Sequence, residues 1–346
     1  MSMPINTMVI MAFISAKPPF SFKKPVFCGI LANTLLSTVP GVSGAGPTAE
    51  KTLLTPILDA EFIVNGEISS IPVKPNTPTG CPTPATITRA MMDLCNLQPV
   101  FVNAGLSHTP TVPCIDVYGS AGGDPRYNDA VPHVQSLYQQ GTRIGKILSS
   151  YSDLLVLGEC VPGGTTTALC VLRALGYTAS VSSSFASNPL QIKEEICQAT
   201  TARIQRDGVT HPLDIVRYAG DPMMPVAAGI VQSYSGNIIL AGGTQMLAVA
   251  ALVKSLGTRI PAVATTSYVR DDVSANVQNL AGAIGVEMYY VDPEFADLGH
   301  SGLARYCIGE VKEGMGAGGA MCLAAMLGHT PDEIRQKILS TVSAFS

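Results

Sequence analysis

The chain has 346 residues, 47% of them hydrophobic and only 13% charged, against about 25% in an average soluble protein. Lys+Arg 21 against Asp+Glu 25 gives a net charge of −4 with no block of either sign, which argues against a nucleic-acid footprint and an acidic solvating tail. The length suits one large domain, or one large and one small, and the apolar content excludes global disorder.

Met8 to Ile14 is apolar, but no basic residue precedes it as the n-region of a signal peptide would. The expectation is a poorly ordered start to a cytoplasmic protein. The nine cysteines have no C-x-x-C spacing and the five histidines no H-x-x-x-H, so reduced, mostly buried thiols are expected and no metal site. Residues 1–79 are rich in Pro, Ser and Thr, with short apolar runs such as Val26 to Leu31 and no clear periodicity. Thr83 and Pro84 look like the N-cap and first position of a helix. Val134, Leu137, Gly141, Ile144 and Leu148 fall at helical spacing and predict an amphipathic helix over 132–150.

From Asp153 the rhythm changes. Asp153 to Leu157 is a continuous apolar run, read as a buried parallel strand. It ends in Gly158-Glu159-Cys160-Val161-Pro162-Gly163-Gly164-Thr165-Thr166-Thr167, and a helix from Ala168 to Leu175 follows. Asn188-Pro189 starts another helix, with proline at the first position. Pro222 to Val253 carries no charge and is long enough to span a membrane. Polar breaks at Gln232–Asn237 and Gly242–Gln245 leave no uninterrupted run of about 20 apolar residues. This stretch reads as helix, loop, buried strand (Ile238 to Ala241), turn, and helix to Leu256. Pro261–Thr265 and Val286–Val291 predict two more strands. The glycines of 314–319 open a helix, and Thr330-Pro331-Asp332-Glu333 is a capping box for the last one. Strand, glycine turn and helix in repetition predict an α/β fold: a doubly wound, mostly parallel, Rossmann-like sheet, with the 158–167 and 242–245 loops at its carboxyl edge.

Three glycine-rich stretches are candidates for chemistry. In 158–167 the glycine pair and the helix start either cradle a phosphate or serve tight strand–helix packing. No Lys precedes the threonines, which excludes a P-loop. The 242–245 loop has the same two readings. Gly314, Gly316 and Gly319 match G-x-G-x-x-G formally, but polar residues precede them and no further strand can follow, so a dinucleotide site is disfavoured. Glu313 before them is either a general base or a solvated cap. Asp221-Pro222-Met223-Met224-Pro225 reads as core packing or an adaptable apolar wall. Cys160 has no histidine near it in sequence, which disfavours a thiol nucleophile.

Together these strings resemble the nicotinate-nucleotide:dimethylbenzimidazole phosphoribosyltransferase family, and most closely its archaeal and cyanobacterial branch, whose function is often unassigned. The family's G-E-M-G-I-G-N-T-T is matched in length by Gly158 to Thr166, and its G-E-G-S-G-A by Glu313-Gly314-Met315-Gly316-Ala317. Branch-level strings at 80–90, 161–177, 241–246 and 312–320 cover the chain widely. Val161 and Gly164 depart from the first motif, and Lys312 stands where the second has Gly. Ser182-Ser183-Ser184-Phe185 replaces the family's phosphate-holding G-R-G-T-G. The A-D-H-G string is missing, with Phe101-Val102-Asn103-Ala104-Gly105 as its counterpart.

The resemblance implies a glycosyl transfer from nicotinate mononucleotide to a lower-ligand base in cobamide biosynthesis, with nicotinate as the leaving group. It makes Glu313 the base. Glu159 supports positive charge or binds ribose. Gly163, Gly164, Thr165, Thr166, Gly242, Gly243, Thr244, Gly314 and Gly316 hold substrate and phosphate. No cofactor or metal is implied. The expected partners are small molecules and a second copy in a homodimer, without nucleic acid or membrane. A large nucleotide-binding part over 80–310 and a smaller helical part from 1–79 and 311–346 are implied. The acceptor stays open among dimethylbenzimidazole, adenine and a phenol. A non-catalytic nucleotide-binding protein and a dinucleotide oxidoreductase are the readings from other classes.

Overall fold

The computed structural model describes residues 13–345. Of the apolar patch at Met8 to Ile14, all but Phe13 and Ile14 lie outside them, and those two are buried. Among the described residues no helix is long and apolar enough to cross a membrane.

Seven strands form one parallel sheet in the order β3-β2-β1-β4-β5-β6-β7. They are β1 (Pro25–Ala32), β2 (Val100–Gly105), β3 (Ile115–Asp116), β4 (Leu154–Cys160), β5 (Asn237–Ala241), β6 (Ala262–Thr266) and β7 (Met288–Val291). The helices of eight residues or more are α1 (Ala49–Asn65), α2 (Pro84–Leu94), α3 (Val134–Ser149), α4 (Gly164–Ala174), α5 (Leu190–Arg206), α6 (Pro212–Ala219), α7 (Met223–Ser233), α8 (Thr244–Ser255), α9 (Val277–Ile284), α10 (Ala317–Met326) and α11 (Pro331–Ser343). The fold is therefore the doubly wound α/β class that the sequence predicts.

Helices cover both faces, so the central strands read as unbroken apolar runs instead of alternating ones. In β4, Leu155 and Leu157 face the core shared with α3 to α9, while Leu154 and Val156 face the core shared with α1, α2, α10 and α11. α10 lies flat on β5 and β6 because Gly318 and Gly319 have no side chain. A Cβ on Gly319 would clash with Ala241, and one on Gly318 with the backbone of Thr265. This close approach brings the residues just before α10 to the carboxyl ends of the strands.

The division at residues 79 and 311 does not follow the sheet. β1, from the first 79 residues, is an interior strand, paired in parallel with both β2 and β4. α1, α2, α10 and α11 pack together on one face of the sheet, although α2 lies within 80–310. The strand order reverses direction between β1 and β4. A crevice at the carboxyl ends of two such strands is where open α/β sheets bind ligands.

Candidate functional site

A cleft with about 790 Å³ of empty space, open to solvent, lies above the carboxyl ends of β1 and β4. The chain after β1 supplies Val42 to Ala45, the turn after β4 supplies Glu159 to Thr165, and the start of α8 supplies Gln245. Glu313 and Gly314 close it from the turn before α10. A side lobe is lined by Ser182, Ser183, Gly243, Thr244 and Lys312, and shares Glu159, Thr165, Ser184, Gln245 and Glu313 with the main cleft.

The expected site residues thus separate into two groups. Glu159, Gly163, Gly164, Thr165, Gly243, Thr244, Glu313 and Gly314 line one or other lobe. Thr166, Gly242 and Gly316 line neither. Thr166 is fully buried. Gly316 is pressed against Gly158, Phe27 and Ala241, which leaves it a packing role. The 158–167 and 242–245 loops do share one site, joined by the Gln245 amide donating to Glu159 at 2.8 Å.

The glycine turns do not offer a simple row of free N–H groups. Gly164 N donates to Val161 O at 2.9 Å and Thr166 N to Gly163 O at 3.0 Å, inside the turn itself. At the second turn the anion is Glu313. Its carboxylate accepts from Gly314 N (3.1 Å), Gly318 N (3.2 Å), Thr265 Oγ1 (3.1 Å) and Thr266 N (3.2 Å). The turn is unusual in its backbone: Gly314, Met315 and Gly316 all have positive φ, and Met315 at 48° is a conformation that side chains disfavour. The buried Thr88 hydroxyl holds it by donating to Met315 O at 2.9 Å.

Burial pushes the Glu313 carboxyl up to about 7, against the hydrogen bonds that pull it down. Glu159 is pushed up to about 8, by burial first and then by the charges of Asp221 and Glu313, although Val161 N–H and Gln245 support its ionised form. Asp221 is fully buried behind the β4 turn, accepts from Thr167 Oγ1 at 2.6 Å, and is raised to about 6 by burial. The Asp221–Pro225 string is therefore more than apolar wall. Asp59 on α1 is a further buried carboxyl in the cleft, with nothing in its local sequence to announce it. Thr83 stands at the N-cap of α2, but its hydroxyl goes to Asp59 at 3.4 Å and not to the helix. Cys160 donates to the other Asp59 oxygen at 3.7 Å; burial and the neighbouring carboxyls push its thiol well above the ordinary range, which argues against a thiolate nucleophile.

The 182–185 loop is tied from behind by two buried lysines. Lys193 Nζ donates to Ser182 O at 2.8 Å. Lys312 Nζ donates to Ser183 O (3.0 Å), Phe185 O (3.2 Å) and Gly309 O (3.1 Å), and pairs with Asp272 at 3.3 Å. The departure of Lys312 from the family pattern thus coincides with the departure of the loop it holds. Among the described residues, no group of three or more His, Cys, Asp or Glu is placed to hold a metal ion.

No family model matches the chain. It is 43% identical over 341 residues to UPF0284 proteins of Methanosarcina mazei and Methanosarcina acetivorans, covering 95% of this chain and 97% of each of theirs. It is 40% identical over 326 residues to the UPF0284 protein of Methanothermobacter thermautotrophicus, with 90% and 91% covered. Two solved structures from Thermus thermophilus share the fold. One is a nicotinate-nucleotide-dimethylbenzimidazole phosphoribosyltransferase, with TM-score 0.61, 14% identity, and 94% of this chain and 84% of that one covered. The other is CobT, with TM-score 0.63, 13% identity, and 93% and 84% covered. Archaeal relatives and these fold neighbours are what the sequence motifs pointed to.

Proposed function

We propose a function for this chain, which belongs to the UPF0284 protein family, from the chemistry of its cleft: it transfers the 5-phosphoribosyl group of nicotinate mononucleotide to a nitrogen base, as a step in making a cobamide lower ligand. The C1′–N bond to the pyridinium breaks and its electron pair stays on nicotinate, whose ring nitrogen becomes neutral and needs no acid. The acceptor nitrogen bonds to C1′ and its N–H proton passes to Glu313. The products are an α-ribazole-type 5′-phosphate and nicotinate.

The observation that carries this reading is Glu313. It is a carboxylate at the cleft wall, fixed by backbone and hydroxyl donors, whose pKa of about 7 suits a base acting near neutrality. Glu159, at about 8, is neutral over most of that range. Of its two candidate roles, hydrogen bonding to a ribose hydroxyl suits a neutral acid better than support of an oxocarbenium-like charge. Holding both substrates in one cleft supplies part of the acceleration. The test is release of nicotinate from its mononucleotide only when an acceptor base is present. Nucleotide binding without release for any base in a panel would instead favour a non-catalytic binding protein.

Two further expectations follow from this reading. Thr165 lines both lobes, so Thr165→Val should weaken mononucleotide binding by about 1 kcal/mol, the scale of one hydrogen bond. Unchanged affinity by calorimetry would return the 158–167 turn to a packing role. The chain should also assemble as a closed two-fold dimer. Light scattering that shows only monomer at micromolar concentration would exclude this.

A further inference from the structure

The reaction as written leaves one buried carboxyl in the cleft without a task. Asp59 sits on the inner side of α1, 7% exposed, and lines the same cleft as Glu313. No cation pairs with it among the described residues. Its hydrogen bonds come from Thr83 Oγ1 at 3.4 Å and Cys160 Sγ at 3.7 Å, both long and weak. A carboxylate so buried and so poorly supplied is better off neutral, and burial indeed pushes it up to about 7. A neutral carboxyl offers one O–H donor beside one carbonyl acceptor in a single plane.

That pair matches a heterocycle edge on which an accepting ring nitrogen adjoins a donating exocyclic amine, as in a 6-aminopurine. The two hydrogen bonds close a ring between carboxyl and base. The purine then has its six-membered edge at Asp59, which leaves its imidazole ring for Glu313. Thr83 touches Asp59, and Ser43, Thr55 and Thr77 add hydroxyls elsewhere on the cleft wall, beside apolar residues such as Val42, Val161 and Phe185. A dimethylbenzimidazole would present two methyl groups there and leave the Asp59 O–H unpaired, the kind of mismatch that polar sites reject most strongly. Resting on the transfer reading above, we propose that Asp59 is the residue that selects the acceptor, and that the acceptor is an amino-substituted purine-type base in preference to a methylated benzimidazole.

The test compares adenine, purine and 5,6-dimethylbenzimidazole, by calorimetric binding and as acceptors with nicotinate mononucleotide. Wild type should bind adenine at least about tenfold more tightly than purine, which lacks the amine, and favour adenine over dimethylbenzimidazole in kcat/KM. Asp59→Asn keeps a donor and an acceptor and should preserve the preference. Asp59→Leu should lower the adenine-to-dimethylbenzimidazole kcat/KM ratio by at least about 30-fold. Equal affinity for adenine and purine overturns the proposal without any variant, even if Asp59→Leu fails to fold. So does a loss in Asp59→Leu that is the same for both acceptors. If no base is transferred but the adenine preference in binding is present and disappears in Asp59→Leu, the transfer reading fails while the selective role of Asp59 stands.

Discussion

Glu313→Gln should lower turnover by about 10²–10⁴-fold, the usual worth of a positioned base, while mononucleotide affinity changes by less than about threefold. The substitution keeps size and polarity and removes only the capacity to take a proton. Its oxygen can still accept from Gly314 and Gly318, and the Thr265 hydroxyl can turn to accept from the new amide. Thr266 N–H loses its partner, at a cost of about 1 kcal/mol. For wild type, kcat/KM should rise with pH through about 7, because the base must be ionised and its pKa is raised to that value. The sign for stability is opposite. A carboxyl whose folded pKa lies above its unfolded one binds its proton more tightly when folded, so stability falls as pH rises from about 4.5 to about 7. The Gln variant lacks this group, so its stability relative to wild type should improve between pH 5 and pH 8 in urea titrations. Turnover within about threefold of wild type on the preferred acceptor would reduce Glu313 to a cap of its own turn.

The strands after Asp153 were legible because each is an apolar run ended by glycine or by a turn. β1 was not recognised as a strand, although its core at Val26 to Leu31 stood out as apolar: a strand buried on both faces has no alternation, and a short apolar run alone does not separate strand from helix. α1 was missed for a different reason. It contains Pro56 and buries Asp59 and Glu61 with its apolar residues, which blurs the amphipathic stripe. Asp59 was lost with its helix. Glu313 was legible from its place before a glycine-rich helix start. That burial outweighs its hydrogen bonds depends on how closely α10 meets β5 and β6, and this distance is not written in the local string. That Gly164 N and Thr166 N are spent on carbonyls of their own turn, and Gly314 N on Glu313, was not legible, because such bonds depend on backbone angles that glycine permits without dictating.

Lys312→Met should cost about 3 kcal/mol of stability at neutral pH, within the range for breaking a buried ion pair from one side. The side chains of Lys312 and Asp272 are 9% and 6% exposed, so solvent does little to screen either charge. Asp272 lies below the ordinary carboxylate range although burial works against this. Ser182, Ser274 and Lys312 together outweigh the burial. Without the ammonium, Asp272 keeps only neutral donors, and the carbonyls of Ser183, Phe185 and Gly309 lose theirs. Lys193 donates to Ser182 O and does not replace the three hydrogen bonds of Lys312; burial pushes it down to about 7, with Asp272 raising it and Lys312 lowering it. The double variant Lys312→Met with Asp272→Asn should recover part of the loss, since it removes the stranded charge. Catalytic geometry should suffer less than binding. The Lys312 carbonyl is held independently by Thr266 Oγ1 at 2.6 Å, so Glu313 stays in place while the 182–185 loop is released. KM for the mononucleotide should therefore rise by more than kcat falls. A urea-unfolding change below about 0.5 kcal/mol, the level of an ordinary surface substitution, would mean that the pair does not hold the loop.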